Sequence, residues 1–138
     1  MAPPDAPGEA DMTYKVLIVD DSKLARMAVG KALNSLQPSW TRLEAANADE
    51  AIASVKDNAP DIVLLDFNMP GRDGLALAAD LNKLHPEMPL AVISANIQDE
   101  IVARARAIGA AFLPKPLTEQ ALADFLSAAQ LRLRAVAR

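Results

Sequence analysis

From residue 15 onward, short apolar runs alternate with stretches whose apolar positions recur at helical spacing. The runs Val16–Asp20, Leu43–Ala46, Ile62–Asp66, Leu90–Ser94 and Ala111–Leu113 predict strands. The second is the least strand-like, because Thr41-Arg42-Leu43-Glu44-Ala45-Ala46-Asn47 is as alanine-rich as a helix. Between the runs, Ala25, Val29, Leu33 and Leu36 mark a first helix ending near Pro38. Residues 48–58 form a second, and Asp73–Leu84 a third that stops before His85-Pro86. Ile97, Ile101, Ala105 and Ile108 mark a fourth, which Gly109 terminates. Leu122, Phe125, Leu126 and Ala129 mark a fifth, with Thr118 as N-cap and Glu119 in an acidic first turn.

Five alternations of strand and helix predict an α/β fold: one doubly wound parallel sheet with helices on both faces. Nearly continuous apolar strands fit that arrangement, since both of their faces are covered. In such sheets ligands collect beyond the carboxyl ends of the strands.

Composition narrows the function. The chain has 138 residues, enough for a single domain with a real core. A net charge of −4 leaves no basic face for nucleic acid or an anionic membrane. Without cysteine there is no disulfide, thiolate metal site or thiol chemistry. No apolar run approaches the ~20 residues of a membrane span. The acidic, proline-rich start MAPPDAPGEADM is no signal peptide. Residues 1–13 are therefore expected to be a disordered tail before a domain over 14–138, and the protein is expected to be cytoplasmic.

The strand ends hold the candidate chemistry. The first run ends in Asp20-Asp21, the third in Asp66, the fourth in Ser94, and the fifth leads into Lys115. If the first and third strands are neighbours, three carboxylates converge and repel by several kcal/mol per pair, taking ~4–6 Å and an effective dielectric near 20. A divalent cation would gather them, and an all-oxygen site points to magnesium. Each aspartate alone also reads as a helix cap, and Asp21-Ser22 could cap the first helix. Taken singly, an aspartate such as Asp66 is most often a cap, and a ligand or a nucleophile are the other readings.

The set Asp20-Asp21, Asp66, Ser94 and Lys115-Pro116, with the stretch DFNMPGRDG, resembles the receiver domains of two-component response regulators, especially stand-alone chemotaxis-type ones. The resemblance covers residues 14 to 135 and implies a flavodoxin-like sheet of strand order 2-1-3-4-5. It makes Asp66 the phospho-acceptor, attacking a histidine-bound phosphoryl group. It makes Asp20, Asp21, Asp66 and the Asn68 carbonyl the Mg²⁺ site, with Mn²⁺ as a possible substitute. Lys115 would contact the phosphoryl group across a cis bond to Pro116, and Ser94 would be the switch hydroxyl. Phe112 takes the place of the switch aromatic, where many chemotaxis-type members carry tyrosine. Asn68 and Asn96 fall where the family tunes attack by water on the acyl phosphate.

The implied partners are a sensor histidine kinase or a histidine phosphotransfer protein, and a downstream protein bound by the face of the fourth helix, fifth strand and fifth helix. The chain would be a monomer or a phosphorylation-dependent dimer. It would not be an enzyme acting on others, only on its own phosphorylation and dephosphorylation. A phosphate shuttle or sink, and a receiver cut from a larger regulator, are the alternatives. Haloacid-dehalogenase-type phosphatases also use a strand-end aspartate, but place a second aspartate where this chain has Asn68. Asp73 is expected to cap the third helix, His85 to be a solvated loop residue, and Trp40 to pack locally.

Overall fold

The computed structural model describes residues 13–69, 71 and 73–137; all but the last residue of the expected tail over residues 1–13 lies outside them, as does Pro70. The strands are β1 (Lys15–Val19), β2 (Thr41–Ala45), β3 (Ile62–Asp66), β4 (Leu90–Ser94) and β5 (Ala111–Pro114). The helices are α1 (Lys23–Leu36), α2 (Ala48–Asn58), α3 (Gly74–Leu84), α4 (Asp99–Ala107) and α5 (Glu119–Ala137). All four strand pairs are parallel, in the order β2-β1-β3-β4-β5.

Side chains of a strand alternate between its two faces, so one sheet feeds two cores. Leu17, Val19, Val63, Leu65, Leu90 and Val92 pack against α2, α3 and α4 through residues such as Val55, Leu77, Leu81 and Ile101. Val16, Ile18, Ile62, Leu64, Ala91 and Ile93 pack on the other face against Leu33 of α1 and Leu122 and Leu126 of α5. Full burial of one such Leu or Ile stabilises the fold by about 1.5–3 kcal/mol. Trp40 lies in the turn before β2 and meets Tyr14 edge-on at 5.0 Å, which closes the amino end of the second core.

Side chains cap four of the helices, those of α1, α3 and α5 as the sequence predicts and that of α2 in addition. The Ser22 hydroxyl accepts the Ala25 amide, Asn47 accepts Glu50, Asp73 accepts Ala76, and Thr118 accepts Ala121. Several boundaries differ from the expected ones. β1 stops at Val19, so Asp20 stands past the strand rather than in it. β2 begins two residues earlier than its apolar run, at Thr41, because pairing with β1 orders polar Thr41 and Arg42 as well. Ile97 is outside α4 and 66% exposed. Gly109 does follow α4, with φ +77°, a backbone that other residues rarely adopt.

Candidate functional site

Because β1 and β3 are neighbours, the residues that follow or end them meet at one edge of the sheet. Asp20, Asp21 and Asp66 each bring a carboxylate oxygen within 4.8 Å of the others. Asp20 and Asp66 are buried, whereas Asp21 is exposed. At that separation, with an effective dielectric near 20, each pair repels by about 3 kcal/mol. The Asp20 carboxyl is accordingly raised above its ordinary pKa, first by burial and then by Asp66 and Asp21. The Ser22 amide donates to Asp20 Oδ1 at 2.9 Å and, with Lys115, works in the opposite direction.

Lys115 follows β5 and places Nζ 2.6 Å from Asp66 Oδ1. The contact is an ion pair by distance but is not aligned as a hydrogen bond, so that buried oxygen accepts none. A buried acceptor without a hydrogen bond is costly unless something else satisfies it. Together with the acidic cluster, it gives the site the donor set of a hard divalent cation: several oxygens, neither sulfur nor imidazole. Asn68 lies exposed two residues beyond Asp66.

Ser94 ends β4 one residue past Ile93, the register partner of Asp66. It is fully buried; its hydroxyl accepts the Asn96 amide at 2.9 Å, and its carbonyl accepts the Lys115 amide at 3.0 Å. The Asn96 side chain in turn accepts the Gln98 amide. The Lys115–Pro116 bond is cis. Phe112 is half-buried on the side of the sheet facing α2 to α4. Asp73 caps α3 and lies 3.9 Å from Arg104, and His85 is exposed at the end of α3.

Two residues here escape sequence reasoning. A Cβ on Gly74 would come within 2.5 Å of the Asp66 carbonyl oxygen, so only glycine lets α3 start this close to the end of β3. Its signal is the second glycine of Gly71-Arg72-Asp73-Gly74, directly after a capping aspartate. Arg26, in the first turns of α1, donates to the Asp20 carbonyl at 2.6 Å and to Glu44 Oε1 at 2.9 Å. Nothing in sequence separates it from the other cations of that helix.

Beside Lys115, a groove of about 350 Å³ runs between α1 and the segment after β5, lined by Ala25, Ala28, Val29, Ile93, Pro116 and Leu117 among others. Leu24 and Met27, on the same helix, are 77% and 56% exposed.

A family model described as the response regulator receiver domain matches residues 16–127. The positive alginate biosynthesis regulatory protein of Pseudomonas aeruginosa is 41% identical over 117 residues, 83% of this chain and 46% of that protein. The transcriptional regulatory protein PdtaR of Mycobacterium tuberculosis is 31% identical over 137 residues, 99% of this chain and 66% of PdtaR. This chain thus spans less than half of the first relative and about two thirds of the second. The solved chemotaxis protein CheY4 of Vibrio cholerae superposes with a TM-score of 0.77 at 26% identity, over 86% of this chain and 99% of that one. Among the described residues, no helix is long and apolar enough to cross a membrane.

Proposed function

The chain belongs to the response regulator receiver domain family, and from that premise we propose that it accepts a phosphoryl group on Asp66 and passes the signal to a partner protein. The observation that carries this reading is the convergence of three carboxylates and Lys115, with an Asp66 oxygen that accepts no hydrogen bond. The donor is a phosphohistidine of a sensor kinase or phosphotransfer protein. An Asp66 carboxylate oxygen bonds to phosphorus as the phosphorus–nitrogen bond breaks, and the imidazole leaves with that electron pair. Asp20, Asp21, Asp66 and the Asn68 carbonyl would hold Mg²⁺, or Mn²⁺ in its place, which supplies positive charge against the incoming phosphoryl oxygens.

With the metal and Lys115 counted, transfer takes the site from formal neutrality to about −1. The added oxygens need donors. Lys115 turns from the carboxylate to the phosphoryl group. The Ser94 hydroxyl accepts from Asn96 and so keeps its own proton to donate. As Ser94 moves, Phe112 turns inward beneath β4, and the face formed by α4, β5 and α5 changes for a downstream protein. Asn68 and Asn96 flank the acyl phosphate and set how fast water removes it. The exposed Leu24 and Met27, on the helix whose Ala25, Ala28 and Val29 line the apolar groove, support a protein donor over a small-molecule one. The protein works in the cytoplasm without binding DNA itself, as a monomer or a phosphorylation-dependent dimer, and its only catalysis is on its own phosphorylation state.

Incubation with Mg²⁺ and acetyl phosphate, followed by intact-mass measurement, is expected to show one added phosphoryl group. Asp66→Asn is expected to show none. A phosphoryl group on that variant would overturn the assignment of the nucleophile.

In a second reading the same domain is the input part of a longer regulator, which the 46% span of the alginate regulator favours. The intact mass of the polypeptide isolated from its own cells decides between a stand-alone regulator, including a phosphate shuttle or sink, and this one.

A further inference from the structure

We infer that Arg26 is a positioning residue for the metal-binding aspartates: it fixes the peptide that joins Asp20 to Asp21. This rests on the Mg²⁺ reading of the site.

Asp20 lies just past the end of β1, where the ladder no longer dictates its backbone. Its amide still reaches Ala45 of β2 at 3.1 Å. Its carbonyl is claimed by Arg26 Nη1 at 2.6 Å, and Arg26 Nε is held at 2.9 Å by Glu44, the residue before Ala45. The three contacts close a ring that ties α1 and β2 to one residue. The guanidinium suits the task, because its donors sit in a rigid fork that serves two acceptors at once. It is 14% exposed, so solvent competes little for either bond.

The carbonyl matters because of covalent geometry. The carbonyl of Asp20 shares one plane with the amide and Cα of Asp21. Pinning that oxygen therefore sets where the Asp21 side chain starts, and it fixes the backbone from which the Asp20 carboxylate reaches the Ser22 amide. Two of the three converging carboxylates depend on a side chain that touches neither. Covering a strand-end carbonyl is the ordinary structural role of such an arginine, and the two roles make different predictions.

Wild type, Arg26→Met, Arg26→Lys and Leu36→Ala separate them. Met keeps the apolar stem and loses the donors. Lys keeps one cationic donor. Leu36, half-buried at the far end of α1, is a control for stability alone. The readouts are Mg²⁺ affinity by calorimetry, the melting temperature, and hydrogen exchange of the Ser22 amide without metal. Arg26→Met is expected to bind Mg²⁺ about tenfold more weakly, as loss of an outer partner typically does, and to lose Ser22 protection. Arg26→Lys is expected to recover to within about threefold of wild type. Leu36→Ala is expected to melt lower with its Mg²⁺ affinity unchanged. The inference fails if Arg26→Met binds like wild type, or if Leu36→Ala weakens Mg²⁺ as much. Should Arg26→Met not fold, Glu44→Ala takes its place by removing the second anchor of the guanidinium, and a wild-type Mg²⁺ affinity with full Ser22 protection in that variant overturns the inference. A wild-type chain that binds no Mg²⁺ overturns the functional reading itself, and this inference with it.

Discussion

Asp20 is the residue on which stability and function pull hardest against each other. Its carboxyl is raised above the ordinary value, so the folded state holds that proton more tightly than the unfolded chain does. The contribution to stability is therefore best below the ordinary carboxylate pKa, and it is lost as pH rises through the raised value. At neutral pH the ionised group opposes folding. In metal-free buffer, Asp20→Asn is expected to be more stable than wild type by on the order of 1–2 kcal/mol, because it removes two repulsions and loses one attraction to Lys115. Denaturant midpoints at neutral and acid pH check this: the gain should vanish in acid. The same variant is expected to bind Mg²⁺ more weakly. That Asp66 and Lys115 meet was legible from the sequence, because both stand at strand ends of one parallel sheet. Arg26 was not, because its importance lies in a main-chain carbonyl it meets only after folding.

Among the elements, α1 carries two duties on different faces. Leu33 seals the core, whereas Leu24 and Met27 are left to solvent. Replacing both Leu24 and Met27 with Asp is expected to slow phosphotransfer from a protein donor by about tenfold or more, since buried apolar anchors dominate interface energies. Labelling by acetyl phosphate should be unchanged, and a parallel time course with the two donors reads the difference. A loss with both donors would place these side chains in the chemistry instead. Periodicity located all five helices but missed the start of α4. Ile97 fits the apolar spacing yet lies in the loop, because Asn96 accepts the Gln98 amide and turns the chain there. α4 also lacks the side-chain cap seen at α1, α2 and α3. β2 was the least strand-like of the five predicted strands because of its alanines, and pairing with β1 orders it. Such pairings are long-range, and local spacing does not record them.

For the molecule as a whole, a cation held by the three carboxylates, as proposed, would couple signalling to stability. Mg²⁺ at a hundred times its dissociation constant is expected to stabilise the fold by about 2.7 kcal/mol. For a domain of this size that is a rise in melting temperature on the order of 5–10 °C, which chelation should reverse in a thermal scan. The strand order was foreseeable from the alternation and the resemblance, and with it the meeting of Asp20, Asp21 and Asp66. What packs around them depended on side-chain geometry. The groups that meet at the sheet edge come from positions 20, 21, 66, 94 and 115, and Lys115 is translated last. A growing chain on the ribosome therefore has its carboxylates long before it has their counter-charge or the strand that seats it. If the proposed function holds, copies that end before Lys115 would lack a working acceptor and would draw no phosphate away from a kinase. Only completed molecules would enter the signalling count.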